Sequence, residues 1–284
     1  SSTGLVTASG GGTATVTATS SSAVATVTVS VVQVAASIEL SDTVFTFSAL
    51  GDTTQLTATV KDVGGAAIGD ASVTWSSSDT AVATISDAGL VTSVADGTSV
   101  ITAISGAQTA AAAVTVTQVA ASIELSPTSL VLVSIGDTAT LSATVKDAAG
   151  SVVVGATVSW SSTAQGVATV SDAGLVTAIG NGTATIATVS GSANGTASVV
   201  VTQVASTVEL SPTSLEFVSI GATATLSATV KDAGGVTISD APVTWSSSNT
   251  AVVTVSSAGV VTSVAVGTAT ITATSGSLSA TASV

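Results

Sequence analysis

The 284-residue sequence has no cysteine, histidine, methionine, tyrosine or arginine. Without cysteine there is neither a disulfide nor a thiolate. Without histidine there is no ordinary side-chain switch between about pH 5 and 8. Lys61, Lys146 and Lys231 are the only basic residues; against them stand 16 acids, for a net charge of −13. That imbalance argues against nucleic acid and anionic membrane as partners, because both are bound through basic patches. No apolar run approaches the roughly 18 residues needed to span a bilayer. A nucleophile needs an activating base, and three lysines at one repeated position do not supply one. The sequence therefore reads as a non-enzyme, with no catalytic, cofactor-binding or metal residues assigned.

What is present is repetition. Trp75, Trp160 and Trp245 are the only tryptophans, each 85 residues after the last, and Lys61, Lys146 and Lys231 and Glu39, Glu124 and Glu209 keep the same step. Three repeats run over 34–118, 119–203 and 204–284, and residues 1–33 correspond to the back third of another. A fixed period this long marks an array of similar small domains, each large enough for its own core. The acids are uneven: the three repeats carry −7, −3 and −3, and the leading fragment carries no charged side chain. The missing methionine and the start within a repeat are read as a window on a longer polypeptide.

Within a repeat the apolar residues recur at every second position, Val, Ile and Thr are abundant, and turn residues follow at short intervals. This predicts seven or eight strands and no helix. In the third repeat the strands are expected near 207–210, 215–219, 224–231, 242–247, 252–255, 260–264, 268–274 and 279–284. Parity places Leu226, Ala228, Val230, Val243, Trp245, Ala269, Ile271 and Ala273 in the core and turns Thr268, Thr270, Thr272 and Thr274 outward. A two-sheet sandwich closed on one Trp per repeat accounts for the pattern. The junctions VTVTQVAASIEL and VVVTQVASTVEL contain neither Gly nor Pro, so the repeats are expected to stand end to end as a rod.

The order VTWSSSNTAVVTVSSAGVVTSVAVGTATITATSG and its counterparts VTWSSSDTAVATISDAGLVTSVADGTSVITAISG and VSWSSTAQGVATVSDAGLVTAIGNGTATIATVSG, with the lead-in SIELSPTSLVLVSIGDTATLSATVKDAAG, resemble the bacterial immunoglobulin-like domain, group 2. The resemblance spans essentially the whole chain. It departs where SDTVFTF replaces SPTSLVL in the first full repeat. It implies an all-β fold of tandem immunoglobulin-like sandwiches, an extracellular structural role at a cell or virion surface, and no catalytic residues. Such domains form stalks of adhesins, parts of giant surface proteins and phage appendages.

Asp62 and Asp70 flank one loop, as do Asp232 and Asp240, but Gly155 takes the second position in the middle repeat. Calcium held by the Asp residues at 42, 52, 62, 70, 79, 87 and 96 needs six or more oxygen ligands in one place, whereas these Asp are spread over many turns. The Glu39–Lys61, Glu124–Lys146 and Glu209–Lys231 sets are expected as exposed cross-strand ion pairs about a turn near Leu50-Gly51, not as buried isopeptide crosslinks. The outward Thr ladder suits ice or sugar binding but also plain β-propensity, and it is interrupted by Val100, Ile104, Ala187 and Val189. The sequons at Asn181 and Asn194 are read first as Asn-Gly hairpin turns.

With 7% charged residues and a mean hydropathy of +0.75, apolar side chains must cover part of the surface. Val100, Ile104, Val200 and Ala110 are assigned to the outside. The expectation is a stalk or filament shaft that packs against copies of itself or a neighbouring filament or virion protein. The alternatives are a solitary adhesin stalk and a carbohydrate-binding array.

Overall fold

The computed structural model describes residues 3–284. It contains two compact units: the chain up to Val119 together with Lys146–Val153, and Ala120–Val145 together with Val154–Val284.

The first unit holds β1 (Gly12–Ser20), β2 (Ala23–Val31), β3 (Ser37–Leu40), β4 (Val44–Phe47), β5 (Thr53–Gln55), β6 (Ala58–Lys61), β7 (Thr74–Ser77), β8 (Ala83–Ile85), β9 (Leu90–Ser93), β10 (Gly97–Ser105) and β11 (Gln108–Val116). Strands β3 to β11 make a sandwich. One layer is the sheet β4-β11-β10-β7; the other combines the β3-β6 pair with the sheet β5-β9-β8. Side chains from both layers meet in one core, with Ile101, Ala112, Val114 and Val116 facing Leu56, Ala83 and Val91. Each of these is almost fully buried. The hairpin β1-β2 stands apart, with Val16, Val24 and Val27 exposed.

The second unit builds the plan twice. In the second repeat, Ser129–Leu132, Ala193–Val201, Gly182–Ser190 and Ser159–Ser162 form the four-stranded sheet. In the third, Thr244–Ser247, Thr270–Ser275 and Leu278–Ser283 form its counterpart, and the strand expected at 215–219 is reduced to a single parallel bridge, Ser214 to Ser283.

Parity is borne out where strands alternate. Leu226, Val230, Ala269, Ile271 and Ala273 are buried, Ala228 is half-buried, and Thr268 and Thr270 are exposed. Three expectations are corrected. The strand placed at 224–231 is two strands, Thr223–Thr225 and Ser227–Lys231, which pair in different sheets. Leu226 is the crossing point: its N–H bonds the Gly259 carbonyl at 2.9 Å while its side chain enters the core. Ala110 faces inward, because it pairs directly with the fully buried Ala103; the outward positions beside it are Ala111 and Ala113. The three Trp are half-buried, not central, and each lies on an edge strand.

Candidate functional site

The charged pairs come first. Lys61 Nζ hydrogen-bonds Glu39, and Lys231 Nζ lies 2.7 Å from Glu209 Oε2. The register is diagonal: Lys61 stands opposite Ser37 and Lys231 opposite Thr207, so each lysine reaches two residues along to its glutamate. The two strands are antiparallel, as expected, although they are not a hairpin, since β4 and β5 intervene between β3 and β6. The Lys61 hydrogen bond, then its charge, hold the Glu39 carboxyl below its ordinary range. Both glutamates are more than half exposed, so these pairs are surface features.

Other acids serve turns and caps. Asp79 Oδ1 accepts from the Ala81 N–H at 2.9 Å, and Asp137 Oδ2 accepts from Val133 and Ser134 at 3.1 and 2.9 Å. No group of three or more acids gathers among the described residues. Asp70 and Asp240 are exposed in their turns, while Asp62 is half-buried and Asp232 buried, so the loop pairs do not form a matched carboxylate site.

The sequons separate as well. Asn181 precedes a strand and is locked to Gln203 by two hydrogen bonds of 2.7 and 3.0 Å. Asn194-Gly195 lies inside the strand Ala193–Val201 and is not a turn; the hairpin closes three residues earlier, at Gly191, with φ of 57°.

The most constrained polar cluster was not singled out from the sequence. Asp232 is 2% exposed, and its Oδ2 accepts from the Ile135 N–H at 3.0 Å and from Gln203 Nε2 at 2.9 Å. Its Oδ1 accepts from Val236 N–H at 2.8 Å. In the first unit Asp147, also 2% exposed, receives Leu50 N–H at 3.0 Å and Gln118 Nε2 at 2.8 Å on Oδ2. Ala149 and Ser151 N–H groups bond its Oδ1 at 3.0 and 2.8 Å. The glutamine hydrogen bond and the backbone N–H groups hold both carboxyls below the ordinary Asp range, against the opposing effect of burial. A signal for these residues existed, since Lys-Asp recurs at 61–62, 146–147 and 231–232 and Gln at 33, 118 and 203.

Apolar exposure is real but scattered. Val100, Ile104 and Val200 are exposed, whereas the third repeat carries Thr270 and Thr274 in place of Val100 and Ile104. A cleft of about 380 Å³ on that repeat is lined by Phe217, Val218, Ile220, Val252, Val266 and Val284.

Comparison with known proteins agrees with this architecture. Ice-binding protein 1 of Shewanella frigidimarina is 37% identical over 238 residues, which cover 81% of this chain and 26% of that protein; the chain thus spans about a quarter of its curated relative. Among solved structures, surface layer protein SbsC, domains 1-6, aligns with 92% of this chain and 41% of its own at 24% identity and a TM-score of 0.34. The Escherichia coli adhesin FdeC aligns with 87% of this chain and 95% of its own at 20% identity and a TM-score of 0.38. The bacterial Ig-like domain (group 2) matches residues 34–116, 119–201 and 204–284, and the chain belongs to that family as a tandem array of its domains.

Proposed function

We propose that the array is an extracellular stalk that bears tension, and that the binding activity of the protein lies outside these repeats. The observation that carries this reading is how the ends of each repeat are tied. Near the beginning of the first full repeat β4 runs parallel to β11, its last strand. Pulling on the two ends of such a repeat slides these strands past one another. The hydrogen bonds Ala113 N–H to Thr43 O (2.8 Å), Thr117 N–H to Phe47 O (3.0 Å) and Val119 N–H to Ser48 O (2.9 Å) are then loaded together, not opened one at a time. The second repeat has the same parallel pairing between Ser129–Leu132 and Ala193–Val201.

A solitary stalk fits better than a self-packing filament shaft, because the outward face of the third repeat presents hydroxyls where the first presents Val and Ile. The name of the Shewanella relative raises ice as a ligand of some part of such a protein; in the stalk reading the repeats hold that part away from its anchor. Two measurements on this chain test the proposal. Each repeat, with nine-residue strands at ~3.3 Å per residue plus loops, is about 35–40 Å long. Small-angle scattering is therefore expected to give a maximum dimension of at least about 110 Å, and a compact value sinks the stalk. The isolated repeats are expected to show no thermal hysteresis; ice shaping by this chain would transfer the binding role to the Thr faces.

A further inference from the structure

Ile135 and Asp232 lie 97 residues apart, in consecutive repeats of the second unit, yet they share a hydrogen bond. The approach is close. Ser134 is fully buried, and a Cβ placed at Gly234 would lie 2.9 Å from the Ile135 carbonyl oxygen and 3.6 Å from the Ser134 Cβ. Gln203, in the segment joining the repeats, donates to the same carboxylate oxygen and is itself fixed by Asn181. The first unit repeats the arrangement, with Leu50, Gln118 and Asp147 in the corresponding roles and Asp96 in place of Asn181.

Asp62 is half-buried, and its hydrogen bonds come from Gln33 and its own turn at Gly64 and Ala66. The loop of the third repeat equivalent to 133–135 has Val218 and Ile220 97% and 68% exposed.

We propose that Asp232 and Gln203 form a socket whose partner is the loop of the preceding repeat, recognised through a backbone N–H, so that consecutive repeats are energetically coupled. A carboxylate suits this task because it is acceptor-only and takes several N–H groups at once. An amide at that position turns a donor toward one of them. Recognition through backbone also tolerates different side chains in the loop: Leu50 and Ile135 occupy equivalent places.

The test is amide hydrogen exchange on the full chain carrying Asp232→Asn. The Ile135 amide is expected to exchange about tenfold to a hundredfold faster, the loss of one charge-assisted hydrogen bond, while Ile186 and Val199 in the core of the same repeat keep their protection. Asp62→Asn is the control and leaves Ile135 unchanged. Gln203→Ala keeps the carboxylate and its turn, and serves where Asp232→Asn unfolds its own repeat; a severalfold acceleration at Ile135 is expected. Parent exchange rates at Ile135 in both variants overturn the proposal. Coupling has its own readout. With Trp160 as the sole tryptophan, Ile271→Ala in the third repeat is expected to lower the denaturation midpoint of the second, and Asp232→Asn is expected to abolish that transfer. A Trp160 transition indifferent to Ile271→Ala equally overturns it.

Discussion

Replacing Gly259 with Ala probes the sheet-switching turn that all three repeats share. Gly259 has φ of 75°, and an added Cβ would lie 2.4 Å from the Leu226 carbonyl oxygen and 3.0 Å from Trp245 Cζ2. The left-handed backbone alone costs about 1–2 kcal/mol for an L-residue. The obstructing atom is backbone, so the two segments must part, which weakens the 2.9 Å bond from Leu226 N–H to Gly259 O at a cost of about 1 kcal/mol. Displacing the Trp245 ring adds to this, for a total of about 3 kcal/mol or more. Gly276 is the internal control: its φ is 59°, but nothing lies within 4 Å of an added Cβ, so Ala there costs only the backbone part. Urea denaturation followed by Trp245 fluorescence, with the other two Trp replaced by Phe, measures both. A repeat of this size has a total stability of roughly 4–13 kcal/mol, so the difference is readily resolved. Equal losses for Gly259→Ala and Gly276→Ala would refute the crowding at the turn.

Trp160→Ala is expected to cost about 2–3 kcal/mol, less than the ~3–5 of a fully buried aromatic, because the ring is half-buried on an edge strand over Gly174; calorimetry of the variant checks this. Acid is expected to open the junctions. The groups facing Asp232 are Gln203 and the backbone N–H groups of Ile135, Gly234 and Val236, and neighbouring Lys231 is engaged by Glu209. A carboxyl held below its ordinary value stabilises the fold above the unfolded pKa of about 3.9, and that contribution is lost as pH falls through the folded value. Exchange at Ile135, corrected for its intrinsic pH dependence, is therefore expected to stay constant from neutral pH to about pH 4 and to accelerate below it; acceleration already at about pH 6 would contradict this.

The alternation of small apolar residues with Thr made most strands legible, since a half-buried strand must repeat every two residues. It is blind to which partner a strand takes. Leu226 keeps the alternation across 223–231 while the chain moves from one sheet to the other. Ala110–Ala113 offers no alternation to read, so only its pairing with Ala103 shows that Ala110 faces inward. The edge position of the Trp strands follows from sheet order, which parity does not contain. Asp232 was hidden for a different reason: an Asp followed by Ala-Gly-Gly looks like any turn residue, and what sets it apart is a contact made 97 residues away. The Lys–Glu pairs were legible because two charges on exposed positions of adjacent strands have few other places to go.

The central claim is a series of like domains, each tied by parallel pairing of an early strand with its last. Single-molecule stretching of the chain tests it most directly. Unfolding one 85-residue repeat releases about 29 nm of extended chain at ~3.4 Å per residue, or about 25 nm after subtracting its folded length. Three evenly spaced force peaks are expected, one for each repeat. A featureless extension, or peaks at irregular spacing, would contradict the account.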